Sequence, residues 1–124
     1  MLLFATAIMT GEPFMYVNFN GLQMKPLLLN LIHQTILPFD EETMNISAGD
    51  KLGISFDDIP FTNYYLLVTN VSLTNFNKIT NKDMFENGFL YRPAFNTFMK
   101  YYRCVEKDTS IVKVDFKIVE CEGL

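Results

Sequence analysis

The stretch Asn63–Leu73, NYYLLVTNVSL, constrains the fold of this chain more than any other. It is long, aromatic and β-branched, and side chains of that kind suit the pleated, half-buried surface of a sheet. It therefore reads as a central strand. A second segment, Ile111–Val119, alternates cleanly, with Val112, Val114, Phe116 and Ile118 on one face and Lys113, Asp115 and Lys117 on the other. That period of two predicts a strand with one face in a core. KLGISF, after the Gly49-Asp50 turn and before DDIP, predicts another strand. PFMYVNFN alternates Phe14, Tyr16, Asn18 and Asn20 with Met15, Val17 and Phe19, until Gly21 breaks the pattern.

Between these lie helical signals. In LQMKPLLLNLI the apolar Leu22, Leu28, Leu29 and Ile32 can share a helical face, with Pro26 near the first turn. PFDEETMNISAGD is a loop by its Pro, Asp, Asn, Ser and Gly content. ITNKDMFENGF carries its own start and stop: Thr80 caps, Asp83 sits three residues on, and Gly88 stands where a left-handed stop belongs. PAFNTFMKYY opens with Pro93, where a missing N–H costs nothing, and spaces Phe95, Phe98, Met99 and Tyr102 as one buried stripe. The order strand, helix, loop, strands, two short helices, strand lacks regular βαβ alternation. The expected class is α+β, a small, mostly antiparallel β-barrel flanked by short helices.

Composition bounds the function. A chain of 124 residues, 49% hydrophobic and with 12 Phe and 6 Tyr, is one compact domain and not a disordered one. Its net charge of -4 argues against coating a polyanion, although Lys78 to Lys113 is locally richer in Lys and Arg than Asp40 to Asp58. Cys104 and Cys121 form no CxxC, which suits reduced thiols in a cytoplasmic protein. The start, MLLFATAIM, resembles a signal peptide superficially but lacks a basic leader, and residues 1–12 read as an N-terminal extension. No run approaches the roughly 20 apolar residues of a membrane helix, so no membrane partner is expected. His33 is the only histidine, and no metal or other cofactor is implied.

Three local patterns in this order resemble the ASCH family, a branch of the PUA-like β-barrel superfamily associated with RNA. The family's turn after its first helix, typically G-K-K-T-Q-T-I-R, falls on Asn30-Leu31-Ile32-His33-Gln34-Thr35-Ile36-Leu37. AGDKLGISF matches its G-D followed by a strand, and ITNKDMFENGF looks like its I-T-x-E-D-A-x-x-E-G-F helix. The resemblance runs from residue 14 through the closing strand. In the acetylcytidine amidohydrolases of the family it implies a lysine-activated threonine with a glutamate moving the proton. Here Ile32 stands for that lysine, Leu37 for the arginine and Asn87 for the glutamate, and Thr35 alone is retained. Neither Ile32 nor Asn87 can serve as a base, so no catalytic residue is assigned.

The expected function is a non-catalytic module that recognises RNA or a nucleoside in a cleft between the Asn30–Leu37 turn and the helix ending at Asn87. His33, Gln34, Thr35 and Asn87 are its candidate ligand contacts; Asn before Gly is also ordinary helix-stop chemistry. In KYYRCVEK, Lys100, Tyr101, Arg103 and Lys107 interleave rings with cations, as single-stranded nucleic acid requires, or else simply close a helix favourably. The alternative function is protein binding, as a phage- or mobile-element-encoded accessory factor that inhibits a host protein. An acetylcytidine amidohydrolase is the third reading.

Overall fold

The computed structural model describes residues 13–121, so the N-terminal extension with its leader-like pattern lies outside the described residues. The elements are β1 (Tyr16–Phe19), α1 (Met24–Leu28), β2 (Gln34–Pro38), β3 (Lys51–Phe56), β4 (Ile59–Asn75), α2 (Asn81–Glu86), α3 (Arg92–Tyr102) and β5 (Ser110–Glu120). Single 3-10 turns occur at Gly21–Gln23, Thr43–Asn45 and Phe76–Lys78. The strands form one sheet in the order β1-β3-β4-β5-β2, curled into an open half-barrel. Only the β1–β3 pair is parallel. The class is α+β, as the sequence indicates.

β4 is the central strand, and at 17 residues it is longer than its apolar segment because it continues into tight turns. Asp57 and Asp58 both have positive φ, 49° and 68°, and Phe56 pairs with Ile59. That is a two-residue hairpin whose twist matches its strands, so the DDIP segment is a turn and the start of β4. Thr80 and Asp83 form the expected capping box, and Gly88 has φ of 88°. A Cβ on Gly88 would lie 2.8 Å from Cγ1 of Ile32, so conformation and space both demand glycine there.

Two segments differ from the sequence reading. Helix α1 covers only Met24–Leu28, and Leu22 and Leu29 are exposed at 88% and 59% while Leu27 is fully buried. Asn30, at φ of 63°, reverses the chain and turns Ile32 into the barrel instead of continuing the helix. The following Asn30–Leu37 segment, read as a turn, ends as strand β2, paired from Gln34–Asp115 to Pro38–Ile111. Alternation on β2 divides its side chains between two cores. Leu37 joins Val17, Phe19, Leu52, Leu66, Val114 and Phe116 inside the barrel; Ile36 joins Phe76, Phe95, Met99 and Ile111 beneath α2 and α3.

Strands β1 and β2 are the two edges of the half-barrel, and no ladder joins them. Arg103, at the C-terminus of α3, bridges this seam. One terminal nitrogen donates to the carbonyl of Asn18 on β1, and the other donates to Oγ1 of Thr35 on β2 at 3.4 Å. Its guanidinium lies between the rings of Phe19 and Phe98, 5.2 and 5.0 Å from their centroids. Burial pushes this cation down to about 10, which still leaves it charged at neutral pH. No carboxylate pairs with it among the described residues, and Nε has no hydrogen-bond partner.

Candidate functional site

On the other face of β2, polar side chains meet under the N-terminal half of α2. The capping box explains how. One oxygen of Asp83 accepts the N–H and hydroxyl of Thr80, each at 3.1 Å, which fixes the carboxylate at the helix start. Its other oxygen faces the sheet, 3.4 Å from Nε2 of Gln34 and 3.4 Å from Nζ of Lys113. Burial raises the pKa of this carboxyl, but the Thr80 bonds, the Gln34 amide and the Lys113 ammonium together outweigh burial and hold it below the ordinary aspartate value.

Gln34 is the hub. Its Nε2 also donates to Asp115 at 3.0 Å, and its Oε1 accepts from Nδ2 of Asn87 at 2.9 Å. Asn87 donates a second time, to the Asp83 carbonyl at 2.8 Å, while Asn70 donates to Asp115 at 3.3 Å. Donors and acceptors are thereby fixed: the Gln34 amide nitrogen must face the two carboxylates, and the Asn87 amide nitrogen must face Gln34. A backbone bond from His33 N–H to the Glu86 carbonyl, 2.8 Å, holds the start of β2 against the end of α2.

Gln34, Asn70, Asp83 and Asp115 line a cavity of about 390 Å³ that opens to solvent. His33 and Gln34 form one wall, Lys82, Asp83 and Glu86 of α2 another, and Thr69, Asn70 and Ser72 of β4 the third, with Lys113 and Asp115 between. Cations and carboxylates alternate around it, and hydroxyls and amides fill the gaps. Such a lining can bind a polar, uncharged planar group through paired donors and acceptors. Among the described residues, no three His, Cys, Asp or Glu side chains converge as a metal-ligand set would.

The sequence candidates divide. His33, Gln34 and Asn87 come together at or beneath the cavity, with Asn87 both ending α2 and bonded to Gln34. Thr35 points the opposite way, 1% exposed, and its hydroxyl accepts from Arg103. A guanidinium cannot take a proton from a hydroxyl. In the α3 tract, Lys100 and Tyr101 are exposed with Nζ 5.7 Å from the ring centroid, and Lys107 is exposed in the following turn. Arg103 is 5% exposed and leaves that surface for the seam. Tyr102 stacks on Phe98 at 4.9 Å, as its place in the buried stripe requires. Cys104 and Cys121 are both unpaired, and Cys104, at φ of 56°, is exposed.

Reading the sequence missed Asp83, Asn70, Lys113 and Asp115 as site residues. Lys113 and Asp115 carried a signal, the polar face of an alternating strand, but only the pairing of β2 with β5 sets Gln34 against Asp115.

No family model and no curated protein matches this sequence. Solved structures do match. Protein EF3133 from Enterococcus faecalis V583, described under DUF984, superposes with a TM-score of 0.66 at 15% identity over 87% of this chain and 77% of its own. Hypothetical protein PH0355 gives 0.61 at 14% over 85% and 98%, and the ASCH domain from Lactobacillus crispatus JV V101 gives 0.58 at 12% over 86% and 80%. At such identities the likeness is one of architecture: the chain has an ASCH/PUA-like fold.

Proposed function

We propose that this protein is a non-catalytic binding module of ASCH/PUA-like fold that recognises a nucleoside, free or within RNA, in the groove between β2 and α2. The observation that carries the reading is the hydrogen-bonded set Gln34–Asp83–Asp115, held from behind by Asn87, which lays an oriented amide and two carboxylates along the groove before any ligand arrives. Pre-organised polar groups of this kind discriminate planar heterocycles by their edges. Binding without turnover is the natural outcome where the hydroxyl of Thr35 faces a guanidinium on the far side of the strand. Module and groove belong to one domain, and no described helix is long and apolar enough to cross a membrane.

The test is a titration of the isotopically labelled protein with each of the four nucleosides and with acetylcytidine. Saturable movement of the Gln34 and Asn87 side-chain amide signals and of the His33 ring, with the acetyl group left intact, is the expected result. Unmoved signals at millimolar nucleoside would reject the reading; release of acetate, lost in Thr35→Ala, would replace it with catalysis.

A second reading, a protein partner, is favoured by one observation. Leu22, Leu90, Tyr101 and Tyr91 are 88%, 86%, 72% and 67% exposed, and the neighbours Leu90 and Tyr91 put two large apolar side chains side by side in solvent.

A further inference from the structure

The outer face of the sheet continues past the groove with no described helix above it, and strand register fixes which side chains share it. Tyr16 pairs with Gly53, Lys51 with Leu67, Leu67 with Lys117, and Tyr65 with Val119. Their chain neighbours Val17, Leu52, Ile54, Leu66 and Phe116 belong to the barrel core. Alternation therefore turns Tyr16, Lys51, Tyr65, Leu67, Lys117 and Val119 away from it. Lys51 and Lys117 are exposed, Tyr16 is 43% exposed, and Tyr65, Leu67 and Val119 are half-buried.

The arrangement is specific. Nζ of Lys51 stands 5.0 Å from the centroid of the Tyr65 ring. The Tyr16 ring lies directly over Gly53, where a Cβ would meet its Cδ2 at 2.6 Å, so the missing side chain is what gives the ring its seat. The one ion pair among the described residues is Lys113–Asp83, which leaves Lys51 and Lys117 without carboxylate partners. A protein of net charge -4 thus places two cations, neither paired with a carboxylate among the described residues, beside two half-open rings on one face.

That combination selects its occupant. An acidic peptide would use the ammonium groups and leave the rings wet; an apolar protein surface would cover the rings and bury the charges at a cost. Single-stranded nucleic acid uses both, since bases stack on aromatic rings while phosphates pair with lysines, and a duplex hides its base faces. We infer that this face is a platform for single-stranded nucleic acid, with Tyr16 and Tyr65 stacking on bases and Lys51 and Lys117 pairing with phosphates. Lys117 is two residues from Asp115, so the platform runs into the groove along β5. The inference rests on the nucleoside reading of the groove only for where the strand leads.

Fluorescein-labelled oligouridylate, oligodeoxythymidylate and a duplex RNA are titrated at several salt concentrations into wild type, Tyr16→Ala, Tyr65→Ala, Lys51→Ala, Lys117→Ala and Tyr101→Ala. Each variant's urea midpoint is recorded alongside, and Tyr65→Ala stands in should Tyr16→Ala unfold. The expected result is single-strand binding stronger than duplex binding. Each of Tyr16→Ala and Tyr65→Ala weakens it about tenfold at unchanged salt slope. Each lysine variant lowers the slope by about one unit. Equal binding of the RNA and DNA strands supports stacking indifferent to the sugar, and preference for RNA supports stacking with a 2′-hydroxyl contact. Binding that ignores these four positions but falls in Tyr101→Ala overturns the inference in favour of the α3 surface. Absence of strand binding at low salt, with nucleosides still moving the Gln34 and Asn87 signals, overturns the platform and leaves the groove standing. Absence of both removes the two together and leaves a protein partner.

Discussion

Gln34 and Thr35 are adjacent in the chain, both nearly buried, and serve opposite electrostatic regimes. Gln34 faces a polar cluster in which each carboxylate has several donors and the rim touches water. Thr35 faces a seam in which one buried cation has a hydroxyl, a carbonyl and two aromatic rings, but no anion among the described residues. The polar cluster satisfies its charges by hydrogen bonds and stays open. The seam tolerates its charge because a guanidinium is weakly hydrated and its stem and plane also pack as apolar matter. Pre-organisation for a ligand belongs with the first arrangement, and closure of the barrel with the second.

The seam depends most on Arg103. Arg103→Ala removes the stem between Phe19 and Phe98 and both seam bonds, and should destabilise by about 3 kcal/mol in urea unfolding. Arg103→Met keeps the volume and discards the buried charge, so it should cost less, about 1–2 kcal/mol, for the Asn18 carbonyl and Thr35 hydroxyl that lose their donor. Equal losses in the two variants would mean that charge, not packing, closes the seam.

Gln34→Leu should come next, at about 1–3 kcal/mol, because it leaves the Asn87 amide and the buried side of Asp83 without their partner. The same variant should abolish nucleoside-induced shifts at Asn87 while the Phe19 and Phe98 ring signals stay put. Movement of those rings would show that the two faces of β2 are coupled after all.

Acid should produce the smallest effect, confined to one face. The folded state holds the Asp83 carboxyl below its ordinary pKa, so its contribution is present above that ordinary value and is lost as pH falls through the folded one. Below about pH 4 the urea midpoint of wild type should therefore fall more steeply than that of Asp83→Asn. Lys113→Ala should change this little, since its ammonium is the weakest of the causes and its side chain is 26% exposed. Parallel pH curves for wild type and Asp83→Asn would contradict the shift.

Much of the architecture was legible because it rests on local rules. The alternation of Ile111–Val119, the apolar Asn63–Leu73 and the Thr80, Asp83 and Gly88 signals appear as β5, the middle of β4 and α2. What escaped reading depends on contacts remote in sequence. Strand β2 is short and buried on both sides, so its pattern has no period, and only β5 makes it a strand. Arg103 looked like a helix-end cation beside Lys100 because nothing local says that Phe19 and Phe98 would enclose it. In the groove, Gln34 and Asn87 were legible as polar residues near a turn and a helix stop, whereas their bond spans 53 residues.

The bridge at Arg103 also sets an order of events. Its partners Asn18 and Thr35 precede it by 85 and 68 residues, and β2 finds its ladder only on β5. A nascent chain therefore carries β1, β2 and the hairpin of β3 with β4 long before the parts that lock the barrel have left the ribosome. Contacts this distant are slow to form because loop closure comes first. Until they do, Ile36 and Leu37, both buried in the finished fold, lie on an unpaired apolar edge open to aggregation while the chain is being made.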